Sequence, residues 1–177
     1  MHTIKKVLSF SLVELLIAMV IIGILATIAI PSYQNFIINS QISNAMTYAE
    51  SLKHDALTNY VQNGVFTSNA AANNSPYYII QNVSPQVGLV NQYYIMNAQS
   101  VDTFFGWPAG AIGRIIIKLS ANGIDTLGNN FSYLGFAAYS QYGSIRWVCM
   151  TPAPSNPAGF PPMVSKFIPY GCTQGSF

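Results

Sequence analysis

The chain has 177 residues, of which 51% are hydrophobic and only 7% charged, and its mean hydropathy is +0.34. That length suggests one domain; so little charge is unusual for a freely soluble one, and the 13% aromatic share argues against disorder. Lys5 and Lys6 account for the formal charge of +2, since beyond residue 9 the basic and acidic side chains cancel, so bulk electrostatics do not point to nucleic acid.

The first predicted element is apolar. Residues 10–30 read FSLVELLIAMVIIGILATIAI, carry one charge, Glu14, and follow the basic pair Lys5 and Lys6. A secretory signal has a shorter apolar stretch that ends at a small-residue cleavage site; here the run continues to Ile30 with no such exit before Pro31. A plain transmembrane anchor fits the length, because about 20 helical residues rise about 30 Å, and Lys5 with Lys6 would hold the start in the cytoplasm. That reading leaves Glu14 unexplained. A carboxylate inside a bilayer costs about 2–3 kcal/mol even on generous scales, so it normally has a partner or a function.

The order Phe10, Glu14, apolar run, Gly23 and Pro31 closely resembles the class III signal of type IV pilins. The resemblance implies that a basic leader, residues 1–9, is removed on the cytoplasmic side by a prepilin peptidase and methyltransferase acting between Ser9 and Phe10. It implies that the new Phe10 amine is N-methylated. It also implies that Glu14 neutralises a neighbour's amine as subunits enter a helical filament, a charge costly alone and compensated in the assembly. Ser9 stands where the family usually has Gly; it too is small. The partners implied are other copies of the chain, the processing enzyme, the pilus assembly machinery and, before assembly, the inner membrane. The destination implied is an extracellular filament serving adhesion, motility or DNA uptake, with no cofactor.

Past residue 31 an apolar stripe continues through Tyr33, Phe36, Ile37, Ile42, Ala45, Met46, Ala49, Leu52, Ala56, Tyr60 and Val61, mostly three or four apart. Asn39, Gln41, Asn44, Glu50, Lys53 and Asp55 form the polar side, so this is an amphipathic helix laid on something. Asn63 and Gly64 are a stop signal, which predicts one helix from about residue 10 to about residue 62. Pro31 lies inside it, removes the backbone bond to Thr27 and predicts a kink. Gly23 adds a weak point of about 1 kcal/mol relative to Ala. Residues 23–31 are therefore expected to be the segment that unwinds or stretches, unless Gly and Pro are there only because membrane helices commonly carry them.

Residues 65–76, rich in Asn, Ala and Ser, read as a loop. Strands are predicted at 77–80, 93–96, 114–119, 133–139 and 144–150, with an Asn-Gly turn after the third and a hairpin at Gln141-Tyr142-Gly143. Short turns between the last three strands predict an antiparallel sheet with one face to cover, and the second half of the helix is the natural cover. The expected fold class is α+β, a long helix packed on an antiparallel sheet, which is also the architecture that the resemblance implies.

Cys149 and Cys172 bracket a proline-dense stretch, TPAPSNPAGFPPMVSKFIPYG, that is not expected to form regular structure. If the head lies outside the cytoplasm these cysteines are expected to be oxidised, the alternative being two free buried thiols. FIPYGC resembles the end of the disulfide-bounded loop of pilins. Only His2 and His54 are available as imidazoles, so no metal site and no Ser/His/Asp set is predicted. Three Asn-x-Ser sites, at Asn73, Asn82 and Asn130, occur in a chain rich in Asn and are assigned no role.

The expected organisation is a removable leader at 1–9, an apolar membrane and assembly helix at 10–31, and a head at 32–177 that includes the second half of the helix. The function implied is a structural pilus subunit, not an enzyme. A minor pilin or a type II secretion pseudopilin is the alternative within the same machinery. A membrane-anchored periplasmic binding module that never polymerises is the alternative from another class.

Overall fold

In the computed structural model the described residues are 10–64, 66, 79–97, 110–152, 154 and 160–175. They form one helix, α1 (Leu12–Asn63), then strands β1 (Ile79–Val87), β2 (Val90–Asn97), β3 (Gly113–Ser120), β4 (Phe131–Gln141), β5 (Ser144–Thr151) and β6 (Cys172–Gln174). The chain divides after Ile37 into an amino-terminal and a carboxy-terminal unit. The leader, the loop predicted at 65–76 and the first two residues of the strand predicted at 77–80 lie mostly or wholly outside the described residues.

α1 is unbroken across Gly23 and Pro31, with Pro31 inside it. It ends where Asn63 and Gly64 predicted. Gly64 adopts φ 71° and its N–H donates to the Tyr60 carbonyl at 2.8 Å, which caps the last turn in the left-handed conformation that Gly tolerates best.

In the carboxy-terminal unit α1 buries Ile42, Ala45, Ala49, Leu52 and Ala56, spaced three, four, three and four apart. Three of these are Ala, which lets the helix axis lie close to the sheet. They pack with Val90 and Ile95 of β2 and with Ile115, Ile117, Leu119, Leu134, Phe136 and Ala138, the alternate residues of β3 and β4. Each large apolar side chain so buried stabilises the fold by about 1.5–3 kcal/mol. The stripe read from sequence is trimmed at both ends: Tyr33, Phe36 and Val61 are exposed. Lys53, assigned to the polar side, is tucked in, its side chain only 12% exposed. It lies one turn past Ala49, on the flank of the buried stripe.

The sheet has six strands in chain order, β1 to β6. The first five pair antiparallel, and β6 pairs parallel with β5. Pro85 falls in β1, an edge strand interrupted by register shifts, where a missing N–H removes no internal ladder bond. β4 and β5 close with Gln141 opposite Ser144, and both loop residues have positive φ, 49° at Tyr142 and 78° at Gly143. That is the twist a two-residue hairpin needs.

Three sequence expectations about the sheet need correction. β1 extends to Val87, so it covers 79–87 and not only 77–80. β3 and β4 are joined by residues 121–130 and not by a short turn. There the Asp125 carboxylate, 5% exposed, accepts from the N–H groups of Gly128 at 3.1 Å and Asn129 at 2.9 Å, and Asp125 bridges to Met163. The sheet also buries both faces. Opposite α1 lie Met96, Ala111, Ile116, Ala137 and Met150, with Tyr94, Tyr133, Tyr139 and Val148 packed against them. The sequence signal was the lack of alternation: Ile115, Ile116 and Ile117 are consecutive, as in a strand covered on both sides.

Candidate functional site

The amino-terminal unit carries most of the residues singled out from sequence. Phe10 and Ser11 precede α1, and Phe10 is 77% exposed. Helical bonding starts where the Leu15 N–H donates to the Ser11 carbonyl at 3.2 Å. Glu14 therefore sits in the first turn. The helix N-terminus there presents N–H groups without intrahelical partners and a partial positive charge, which favours a carboxylate locally.

From there the helix is apolar on every side. Ile17, Ile22, Leu25 and Ile28 are all more than half exposed. An 18-residue window of α1 has mean hydropathy 2.8 with none of it buried in the chain's own fold, long and apolar enough to cross a membrane. Its hydroxyls are satisfied within the helix. Thr27 Oγ1 donates to the Ile24 carbonyl at 2.7 Å, and Ser32 Oγ to the Ile28 carbonyl at 3.1 Å. Gly23 has no atom within 4 Å of the place a Cβ would occupy, so its side is open. In a solvent without hydrogen-bonding partners such a segment must keep its polar groups bonded internally. Ser9 lies outside the described residues.

The second candidate is the cysteine pair. Cys149 on β5 stands directly opposite Cys172 on β6, and the two are disulfide-bonded with Cα atoms 4.5 Å apart and a sequence separation of 23. The stretch they enclose is more ordered than its prolines suggested. It holds a short 3-10 turn (Ser165–Phe167), and Met163 and Phe167 are buried in the main core. Gln174 Nε2 donates to the Met163 carbonyl at 2.9 Å, and the Gly175 N–H to the Thr151 carbonyl at 3.0 Å. These contacts lay the loop over the end of the sheet, and the disulfide fixes β6 to β5. Two aromatic side chains, Tyr142 at the β4–β5 turn and Tyr170 just before Cys172, are fully exposed.

Sequence reasoning missed three features around the helix–sheet interface. Lys53 Nζ lies 2.7 Å from Glu50 Oε1 and 4.2 Å from the centre of the Phe136 ring, so its cation is held by an ion pair and an aromatic face. Phe66 stacks on Tyr60 at 4.7 Å and meets Trp147 edge-on at 5.9 Å. A Cβ on Gly113 would come within clashing distance of the Phe66 ring, so any larger residue there must push the ring aside. Tyr48 and Tyr93 meet edge to face at 6.0 Å. Burial, with mutual and Asp55 repulsion, pushes the Tyr48 hydroxyl above its ordinary range, and burial with Asp55 does the same for Tyr93. The Glu50–Lys53 pair had a local signal in its i,i+3 spacing; the contacts to Phe136, Trp147, Gly113 and Tyr93 had none, because they join residues far apart in sequence.

His54 is on the solvated side, its side chain 83% exposed. Among the described residues no group of three or more His, Cys, Asp or Glu gathers as a metal ion would need. The structure thus brings the cysteines together and sets Phe10, Glu14, Gly23 and Pro31 along one exposed apolar stretch.

Comparison with known proteins connects these two regions. The prokaryotic N-terminal methylation motif matches residues 4–30, and the pilin family, described as a bacterial filament, matches residues 39–173. The chain is 29% identical over 159 residues to the type IV major pilin protein PilE1 of Neisseria gonorrhoeae, covering 90% of this chain and 64% of that protein. It is 28% identical over 167 residues to the fimbrial protein EcpC of Eikenella corrodens, covering 94% and 91%. A fimbrial protein of Moraxella nonliquefaciens is 53% identical over 55 residues, 31% of this chain and 35% of that protein. The chain thus spans just under two thirds of the gonococcal protein and nearly all of the Eikenella one. With a family match over 39–173, most of its length, the chain belongs to the pilin family.

Proposed function

We propose that this chain is a structural subunit of a type IV pilus and has no catalytic activity of its own. The observation that carries this reading is the apolar window of α1 with none of it buried by its own fold. So much exposed apolar surface requires either lipid or other copies around it. Both fit a subunit held in the inner membrane and later packed through the same helix into an extracellular filament. Relatives named as major pilin or fimbrial proteins favour a filament subunit over a minor pilin.

In this reading residues 1–9 are the leader and the bond between Ser9 and Phe10 is cut by a prepilin peptidase. The mature chain begins with an N-methylated Phe10. Residues 10–31 are the membrane and assembly segment, with Gly23 and Pro31 marking where α1 is able to stretch, and residues 32–177 form the head. Glu14 is one helical turn from the amine, so the two fit as partners within a chain or, coupling neutralisation to docking, between neighbours. The pilus assembly machinery handles the subunit, and the filament serves adhesion, motility or DNA uptake.

Intact-mass measurement on filaments sheared from the cell surface tests this. The expected mass lacks residues 1–9 and carries one methyl group on Phe10. Assembled subunits that retain Met1 reject the processing, and absence of the chain from surface filaments rejects the function.

A further inference from the structure

We propose that Tyr33 and Phe36 are an interfacial anchor: they seat in the headgroup region of a phospholipid bilayer and set the depth of the apolar helix, so that Glu14 rests at the opposite interface. This rests on the reading that residues 10–31 cross a membrane before assembly.

Three observations carry it. Tyr33 and Phe36 are 66% and 68% exposed and three residues apart, which places them on the same side of α1. They begin two residues after Pro31, where the apolar run stops, and they end before Ile38, where the carboxy-terminal unit begins. Their position is therefore continuous with the apolar window. The third observation is a length. Tyr33 is 19 residues beyond Glu14 in an unbroken helix, which at 1.5 Å per residue is about 28 Å. The hydrocarbon core of a bilayer is about 30 Å thick.

The spacing gives the pair a consequence for the carboxylate. No charged side chain lies between Glu14 and Tyr33, so nothing inside the span resists sliding. Tyr prefers the headgroup level, where its ring is dehydrated and its hydroxyl stays wet, and Phe36 adds apolar area on the same side. With Tyr33 and Phe36 at that level on the far side, Glu14 reaches the near interface. A slide of one turn, about 5.4 Å, toward the far side would bring Glu14 into hydrocarbon and lift the aromatic pair out of its level. The anchor thereby balances the pull of Glu14 toward its own interface, and the two together set the depth of the helix.

The test uses the full chain in phosphatidylethanolamine and phosphatidylglycerol vesicles whose acyl chains are brominated either near the headgroup or near the chain ends. Tryptophan is introduced in separate variants at Tyr33 (Tyr33→Trp) and at mid-span (Ile22→Trp), and the native tryptophans common to all variants set the background. Shallow bromine should quench Tyr33→Trp about twofold more than deep bromine, and the order should reverse for Ile22→Trp. If deep bromine does not quench Ile22→Trp, the membrane-crossing reading itself fails. If it does, but Tyr33→Trp is quenched as much or more by deep bromine, the span stands and the anchor is overturned. Loss of Tyr33→Trp quenching as the protein-to-lipid ratio rises would assign the pair to a second copy and also overturn it. Depth setting is read with Leu16→Trp. Adding Tyr33→Ala and Phe36→Ala should raise its shallow-to-deep quenching ratio about twofold, as Glu14 draws the freed helix toward its own interface. An unchanged or lower ratio would overturn that role.

Discussion

Residues 12–31 and residues 38–63 of α1 are one helix by hydrogen bonding, yet they solve the burial problem differently. The first stretch is apolar all round and exposed all round, so only surroundings that are apolar on every side can satisfy it. The second has one buried stripe, Ile42, Ala45, Ala49, Leu52 and Ala56, and a wet side, so a sheet face is enough. The lesson lies in the periodicity. A helix whose apolar residues have no preferred side must be surrounded on every side, and here its own chain does not do so, whereas one with a three-four stripe needs a single covering face.

That contrast breaks most readily at Glu14. Glu14→Ala should reduce filament number by about tenfold or more, counted by electron microscopy of sheared material, while membrane insertion improves slightly. The head should be untouched: its disulfide and protease resistance should match those of the unaltered chain. Filaments in ordinary number built from Glu14→Ala subunits would remove the docking role.

The next effects are confined to the carboxy-terminal unit. Replacing both Cys149 and Cys172 with Ser should destabilise it by about 3 kcal/mol in the chain-entropy account of a loop of this length, read as a lower urea midpoint in detergent. An unchanged midpoint would mean that the loop's hydrogen bonds and buried Met163 and Phe167 hold β6 in place without the bond. Gly113→Ala should cost about 1–3 kcal/mol, because the new methyl must displace the Phe66 ring from between Tyr60 and Trp147. A neutral result, by the same measurement, would show that the residue 66 region yields easily.

The comparison is sharpened by pH. Tyr48 and Tyr93 have hydroxyls raised above 10.0 in the folded state. Their contribution is complete below the unfolded value and falls as pH rises from about 10 through the raised folded values. The head should therefore lose stability in alkali, and the double change Tyr48→Phe and Tyr93→Phe should flatten that loss; an unchanged alkaline slope would assign it elsewhere. The smallest effect is at the hairpin. Tyr142→Asn, a residue suited to φ 49°, should raise the head's melting temperature by about 1–2 °C, and a fall would mean that the exposed Tyr142 ring makes a stabilising contact.

Much of the architecture was legible because it is written in local patterns. The helix end at Asn63 and Gly64 follows from a left-handed cap, and the β4–β5 turn follows from a Gly beside a run of alternating strand residues. The extent of β1 and the short parallel β6 were not legible: β1 contains a proline, β6 has three residues, and both exist because a neighbouring strand is there to pair with. The prolines between the cysteines argued against regular structure, but tertiary contacts to Ile124, Asp125, Thr126 and the core ordered part of that loop all the same.

By itself the sequence determined the apolar span, the position of its one carboxylate, the length of α1 and the α+β class, because each depends on composition or on a period of two or 3.6 residues. Tertiary structure alone decided that both sheet faces are buried, that Lys53 lies under the helix against Phe136, and that Phe66 packs against Gly113 more closely than a Cβ allows. Those are contacts between residues far apart in the chain, and a pattern along the chain carries no record of which distant residue fills a given space until the elements have packed.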